Sequence, residues 1–185
     1  MFAHNNDEID YLKLAVVNAM LIKKNCDIHD ITVVTNQASY DYTVDALGID
    51  VVNNAISNII ITEKDKRFKT ANQRIYKDTN HKTTPLSFYN KDRADAYELS
   101  PYDETIIVDA DYLILSDALN NCWGHNNEFM MNWSYEDIMY EREDPTLRKL
   151  HPTGITMYWA TVVYFKKGNF AEQFFKTVKH VRDNR

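Results

Sequence analysis

The sequence predicts an α/β protein built on a mainly parallel, mixed sheet. Two short runs rich in β-branched aliphatics, Ile31-Thr32-Val33-Val34-Thr35 and Thr105-Ile106-Ile107-Val108, read as strands buried in a sheet interior. Segments with apolar residues at helical spacing lie around them. The joints between these elements are short, the pattern of βαβ units.

The bulk numbers agree with a single domain over residues 1–185 that can bury a real core. The chain is 44% hydrophobic and 26% charged, and no apolar run approaches the roughly 18 residues of a membrane span. Only four Gly and four Pro argue against linkers or low complexity. A net charge of −6 disfavours a broad nucleic-acid-binding face and leaves room for a local basic patch. Cys26 and Cys122 lie far apart and belong to no C-x-x-C pair, so both are expected to be buried free thiols in a reducing compartment. The amino end carries neither the basic nor the apolar region of a secretory signal, and the expected location is the cytoplasm.

In chain order, Met1 to Asn6 reads as the tail of a first strand. Asn6 or Asp7 is expected to cap a helix whose apolar positions Ile9, Leu12, Val16, Ala19 and Met20 run through about Lys24. The strand Ile31–Thr35 ends at Asn36. Tyr40–Leu47 reads as a short helix stopped by Gly48, and Ile49–Val52 as another short strand. Residues 53–90 hold Lys64, Lys66, Arg67, Lys69, Arg74, Lys77, His81 and Lys82. This basic stretch is either a solvated excursion outside the sheet or a loop lying near phosphates, and its spacing does not decide between them. Asp92–Leu99 reads as a helix stopped at Ser100-Pro101, because the residue before proline disfavours the helical region. After the Thr105–Val108 strand, Ser116-Asp117 caps a short helix carrying Ala118, Leu119 and Cys122. Glu128–Trp133 follows as a strand, then a charged, loop-like Glu136–His151. Ile155–Phe165 reads as a long strand or a pair broken near Ala160. Phe170, Phe174, Val178 and Val181 mark a C-terminal amphipathic helix.

The candidate site is Asp109-Ala110-Asp111. A buried strand gives these two carboxylates a rigid base, and the carboxyl ends of strands are where open α/β sheets bind ligands. Two acids one residue apart repel unless a cation or basic group offsets them. Mg²⁺ and Mn²⁺ take carboxylate and phosphate oxygens together, so the pair is suited to holding such an ion against a diphosphate. The plainer alternative is a strand that ends in an acidic turn.

The segment "SPYDETIIVDADYLILSD" resembles the GT-A family of nucleotide-sugar glycosyltransferases, particularly its glycogenin-like and phage-type members. Pro101, Asp103, Asp109, Asp111, Leu113 and Asp117 match the family's lead-in, Asp-x-Asp and following residues. "FAHNNDEIDYLKLAVVNAMLIKK" looks like the family's first strand end and helix, "ITVVTN" like its second strand, and "YWATVVYFKKG" like its acceptor-side strand. The resemblance implies a Rossmann-like GT-A three-layer sandwich and the transfer of a sugar from a nucleotide-diphosphate sugar donor. It further implies Mn²⁺ or Mg²⁺ on Asp109 and Asp111, with Asp109 nearer the ribose, and Ala110 between them at the donor. His4, Asn5, Asn6 and Asn36 would meet the nucleoside. Arg93 is either aimed at the donor or a surface helix charge, and Asp95 is placed to orient it, to touch the sugar, or simply to face solvent. The acceptor stays open among glycan, protein, lipid and modified DNA.

Two features depart from the family. The first strand is a stub, and a third metal ligand has no clear counterpart among His125, His151 and His180. Either the chain lacks part of the first strand and a C-terminal segment, or it is a compact variant in which water and diphosphate complete the metal shell. An inverting reaction would need a carboxylate or His as base, whereas a retaining one demands none. Trp133–Tyr135 and Tyr158-Trp159 offer faces for stacking, or are core. Three rival readings exist for the acidic pair. A haloacid-dehalogenase-type phosphatase carries its acidic pair near the amino end with a following Thr. A nucleotidyltransferase usually opens on a Gly-rich loop. The rival from another class is a non-catalytic GT-A-like domain that binds a nucleotide or a partner.

Overall fold

In a computed structural model of the chain, residues 1–62, 72–79, 82–88, 91–132 and 159–184 are described. The protein is mixed α/β. Its elements run α1 (Tyr11–Cys26), β1 (Thr32–Thr35), α2 (Gln37–Leu47), α3 (Ile49–Ala55), β2 (Asn58–Ile61), β3 (Asn72–Thr79) and β4 (Lys82–Phe88). A 3-10 turn at Lys91–Asp95 leads into α4 (Ala96–Leu99) and β5 (Glu104–Val108). A second 3-10 turn at Ala118–Cys122 precedes β6 (Phe129–Asn132), β7 (Trp159–Lys166) and α5 (Asn169–Asp183).

Parallel pairing occurs where a helical crossover joins the strands. β1 pairs with β2 in parallel, Val33 opposite Ile59, and Phe2 forms a parallel bridge to Val34 on the other edge of β1. The remaining pairings are antiparallel: β3 with β4, and β7 in the centre of a sheet between β5 and β6. Among the described residues the expectation of a mainly parallel sheet therefore holds for β1–β2 and the Phe2 bridge to β1, while the other strand pairs are antiparallel. The return of the chain as β7, alongside β5 and in the opposite sense, sets the antiparallel half.

Consecutive residues of β5 point to opposite faces, as strand geometry requires. Val108 joins a cluster built on α1, with Leu12, Val16, Ala19 and Ile22, and with Val33 and Val52. Ile107 joins a second cluster with Val163, Phe165, Ala171 and Phe175, where the Phe165 and Phe175 rings stack edge-on at 5.0 Å. Each of these large side chains stabilises the fold by about 1.5–3 kcal/mol through burial. β5 is thus covered by helix on both faces.

Several local expectations change. α1 starts later than expected: Asp10, not Asn6 or Asp7, is its N-cap and accepts from the Lys13 N–H at 3.0 Å. Asn6 instead closes the preceding turn, accepting from the Glu8 and Ile9 N–H groups. Met20 is 43% exposed, and the buried face of α1 carries Asn18 in its place. α2 begins at Gln37 because Asn36 caps it. Ile49–Val52 is not a strand but the start of α3: Gly48, at φ +87°, ends α2 and redirects the chain, and Val52 and Ala55 bury at helical spacing. The second strand of the parallel pair comes later, at Asn58–Ile61. α5 turns a different face inward than expected, with Ala171 and Phe175 buried while Phe170 and Val181 are 59% and 47% exposed. Lys64, Lys66, Arg67, Lys69, Trp133–Tyr135, Glu136–His151 and the side chains of Arg74, Lys77, Lys82 and Trp159 lie outside the described residues. Cys26 is buried and Cys122 half-buried, both as free thiols. No described helix is long and apolar enough to cross a membrane.

Candidate functional site

β5 delivers Asp109 and then releases the chain. The Asp109 N–H still belongs to the ladder, donating to the Thr161 carbonyl of β7 at 3.0 Å, while its own carbonyl accepts from the Tyr112 N–H at 3.1 Å. That bond closes a four-residue turn with Ala110 buried and Asp111 exposed. Ala110 packs into the α1 cluster.

Asn18 holds this turn from below. It is fully buried, its amide donates to the Asp109 carbonyl at 3.4 Å, and its carbonyl oxygen accepts from the Ile114 N–H at 3.2 Å. Sequence reasoning passed over it. The signal was present: Asn18 lies three residues from Ala15 and four from Ile22, the inward face of α1, where a polar residue must find partners.

Arg93 is not a surface charge. Its guanidinium pairs with Asp109 and also donates to the Ala160 carbonyl at 2.5 Å. Burial raises the Asp109 carboxyl above its ordinary value; Arg93 opposes this and Asp111 adds to it. The repulsion expected between the two carboxylates is thus partly met by a basic group. Asp95 does not orient Arg93. It faces α5 instead, paired with Arg182 and with Lys179 at 3.0 Å.

A chain of contacts links Arg93 to the other strand ends. Its neighbour Asp92 accepts from the Thr62 hydroxyl at 3.0 Å and lies 3.4 Å from His4 Nε2. His4 Nε2 is 3.3 Å from the same hydroxyl, and the Thr62 N–H donates to the Thr35 carbonyl at 2.8 Å. His4 thus follows the Met1–Ala3 stub, Asn36 ends β1, Thr62 ends β2 and Asp109 ends β5, all joined along one polar rim. Asn5 and Asn36 shape that rim: Ser39 Oγ accepts from the Asn5 N–H at 2.9 Å, and Asn36 Oδ1 accepts from the Ser39 N–H at 2.9 Å. Asn5 Oδ1 in turn accepts from the Leu12 N–H at 2.9 Å. Asn6, engaged in its own turn, stands at the edge of this group. Thr62 and Asp92 are further members that sequence reasoning did not single out.

Among the described residues no group of three or more His, Cys, Asp or Glu side chains gathers as a ready metal site. His125 is exposed, His180 is exposed on α5 beside Asn184, and His151 is outside the described residues. The donor set that remains is Asp111, exposed and held by no other side chain among the described residues, with Asp109 beside it under Arg93. Such a set fits a hard divalent ion that keeps most of its water and takes the rest of its ligands from a diphosphate. No protein-family model matches the chain, and no curated protein matches it.

Proposed function

We propose that the chain is a metal-dependent glycosyltransferase of GT-A type, moving a sugar from a nucleotide-diphosphate sugar to an acceptor. The observation that carries this reading is the polar rim itself. The ends of three strands and the Met1–Ala3 stub bring His4, Asn36, Thr62, Arg93 and Asp109 together, with Asp111 projecting from the turn beyond β5. This is the edge at which α/β sheets take nucleotides. The resemblance of the Ser100–Asp117 segment to the GT-A family supplies the choice of donor.

In this reading Asp111, with Asp109 beside it, holds Mn²⁺ or Mg²⁺, whose contribution is Lewis-acid stabilisation of the departing diphosphate. Arg93 adds a fixed positive charge at the same place, oriented by Asp109 and by the Ala160 carbonyl. Asn18 keeps the turn rigid, so Asp111 is presented without reorganisation when the donor arrives. His4, Asn5 and Asn36 border the nucleoside side, with Asn6 at its margin. The basic residues of 64–82 are suited to a polyanionic acceptor or to the donor phosphates.

Asp109→Asn and Asp111→Asn should each abolish Mn²⁺-dependent donor hydrolysis and leave the circular dichroism spectrum unchanged. Undiminished hydrolysis in both variants would sink the proposal. One observation favours a second reading, a nucleotide- or partner-binding domain without turnover: Arg93 already offsets the charge of Asp109, so the acidic pair is accommodated without a metal. Metal-independent nucleotide binding without donor hydrolysis would select that reading.

A further inference from the structure

Thr161 stands on β7 directly across from Asp109. The β5–β7 register pairs Val108 with Val162, and the Asp109 N–H donates to the Thr161 carbonyl at 3.0 Å, which carries the pairing one step further. Alternation places both side chains on the face of Ile107 and Val163, the face of the α5 cluster. The pairing with β6 is irregular at the same place: Met131 pairs with Val163, and Asn132 then pairs with Trp159. Among the described residues Ala160, Thr161 and Val162 therefore have no partner on β6. Such irregularities re-aim side chains beside functional sites.

The Thr161 hydroxyl is shut off from solvent, and among the described residues it has no hydrogen-bond partner. Packing does not call for it. Ile107, Val163 and Phe165 on the same face are apolar and buried, and valine offers the shape of threonine without an unpaired hydroxyl. A buried polar group left unpaired in a folded protein needs a reason beyond packing. The polar side chain opposite it is that of Asp109. Arg93 Nη1 engages Asp109 Oδ1, while Oδ2 accepts no hydrogen bond among the described residues.

We propose that Thr161 is a positioning residue for Asp109: its hydroxyl donates to the Asp109 carboxylate when that carboxylate turns from Arg93 towards a bound divalent ion. This role rests on the reading of the Asp109 turn as a metal and diphosphate site. The Cβ atoms of a cross-strand pair lie about 4.5–5.5 Å apart, so a change of side-chain rotamer brings the two groups together. Arg93 is not set loose by the exchange. Its Nη2 keeps the Ala160 carbonyl at 2.5 Å, and its Nη1 is freed for the diphosphate. The Thr161 hydroxyl replaces the hydrogen bond that Asp109 gives up, so the carboxylate keeps a fixed orientation in the loaded site.

The empty and the loaded protein make opposite demands on this one hydroxyl. Empty, it is a buried donor without an acceptor and lowers stability. Loaded, it holds a metal-ligating carboxylate and raises affinity. A hydroxyl that served the fold alone would raise stability and leave affinity untouched.

The test compares Thr161→Val and Thr161→Ser with the wild type, by thermal unfolding without ligand and by titration of UDP, GDP and ADP in the presence of Mn²⁺. Thr161→Val should unfold at or above the wild-type midpoint and bind the Mn²⁺–nucleotide at least about tenfold more weakly. Thr161→Ser, which keeps the hydroxyl, should stay within about threefold of the wild-type affinity. Wild-type affinity in Thr161→Val would overturn the proposal, and so would an equal loss in both variants. A Thr161→Val midpoint lowered by about 4 °C or more would also overturn it, by showing that the hydroxyl is already bonded in the empty protein. Absence of Mn²⁺-dependent binding in the wild type would remove the reading of the site itself, and this role with it.

Discussion

Replacing Asn18 with leucine keeps side-chain size and removes both hydrogen-bonding ends. In the native fold those ends serve the Ile114 N–H at 3.2 Å and the Asp109 carbonyl at 3.4 Å, in a position with no solvent access. Water cannot replace them, so each group left without a partner costs about 1–3 kcal/mol. The Ile114 N–H bears the larger share. The Asp109 carbonyl loses the longer bond and retains the Tyr112 N–H at 3.1 Å. Leucine packing against the Met1 side chain, which Asn18 already meets at 3.6 Å, and against Ala15 and Ile22 on the same helix face offsets part of the loss, which leaves a net destabilisation of about 2 kcal/mol. For a chain of this size that lowers the thermal midpoint by about 4–8 °C. Urea unfolding should show the lower midpoint at unchanged slope, since the same surface is exposed. A variant within about 0.5 kcal/mol of wild type would refute the claim that Asn18 holds the turn, because surface substitutions alone produce changes of that size.

Two further expectations concern the frame around the site. Tyr164 is buried and donates to Glu104 at 2.8 Å, and burial together with that carboxylate pushes its phenol up to about 12. The folded value lies above the ordinary one near 10, so the neutral phenol is favoured by folding. This stability is fully present below about pH 10 and is lost as the pH rises towards about 12. Tyr164→Phe should flatten the alkaline limb of a stability-versus-pH curve, and an unchanged limb would count against the pairing. Gly48 has open space around its Cβ position but sits at φ +87°, so Gly48→Ala should cost about 1–2 kcal/mol through backbone strain alone, measured by denaturant midpoint.

The parts of the fold that were legible in the sequence are those whose local pattern and tertiary environment agree. The strand Ile31–Thr35 and the strand before Asp109 are β-branched runs that end in polar residues, and both form close to the expected bounds. Ile49–Val52 misled because three β-branched residues suit a strand, while Gly48 and the inward spacing of Val52 and Ala55 favour a helix. Periodicity alone cannot separate the two over so short a run. The antiparallel half was hidden for a different reason. Nothing in "WATVVYFK" states which neighbour it pairs with, since that depends on where a long connection returns. At the site, the Asp109-Ala110-Asp111 turn and Arg93 were visible as residues, but their pairing was not. Asn18 acts on Asp109 across 91 residues of sequence and Thr62 meets Asp92 across 30, beyond what any local motif encodes.

The central claim is that the turn after β5 holds a divalent ion against a nucleotide's diphosphate. The most direct measurement is calorimetric titration of UDP, GDP and ADP, each with and without Mn²⁺, into the wild-type chain and Asp111→Asn. At least one nucleotide should bind wild type only when Mn²⁺ is present, and its affinity should fall at least tenfold, about 1.4 kcal/mol, in Asp111→Asn with unchanged circular dichroism. Equal affinity in the two proteins, or no binding of any of the three nucleotides to wild type, would contradict it.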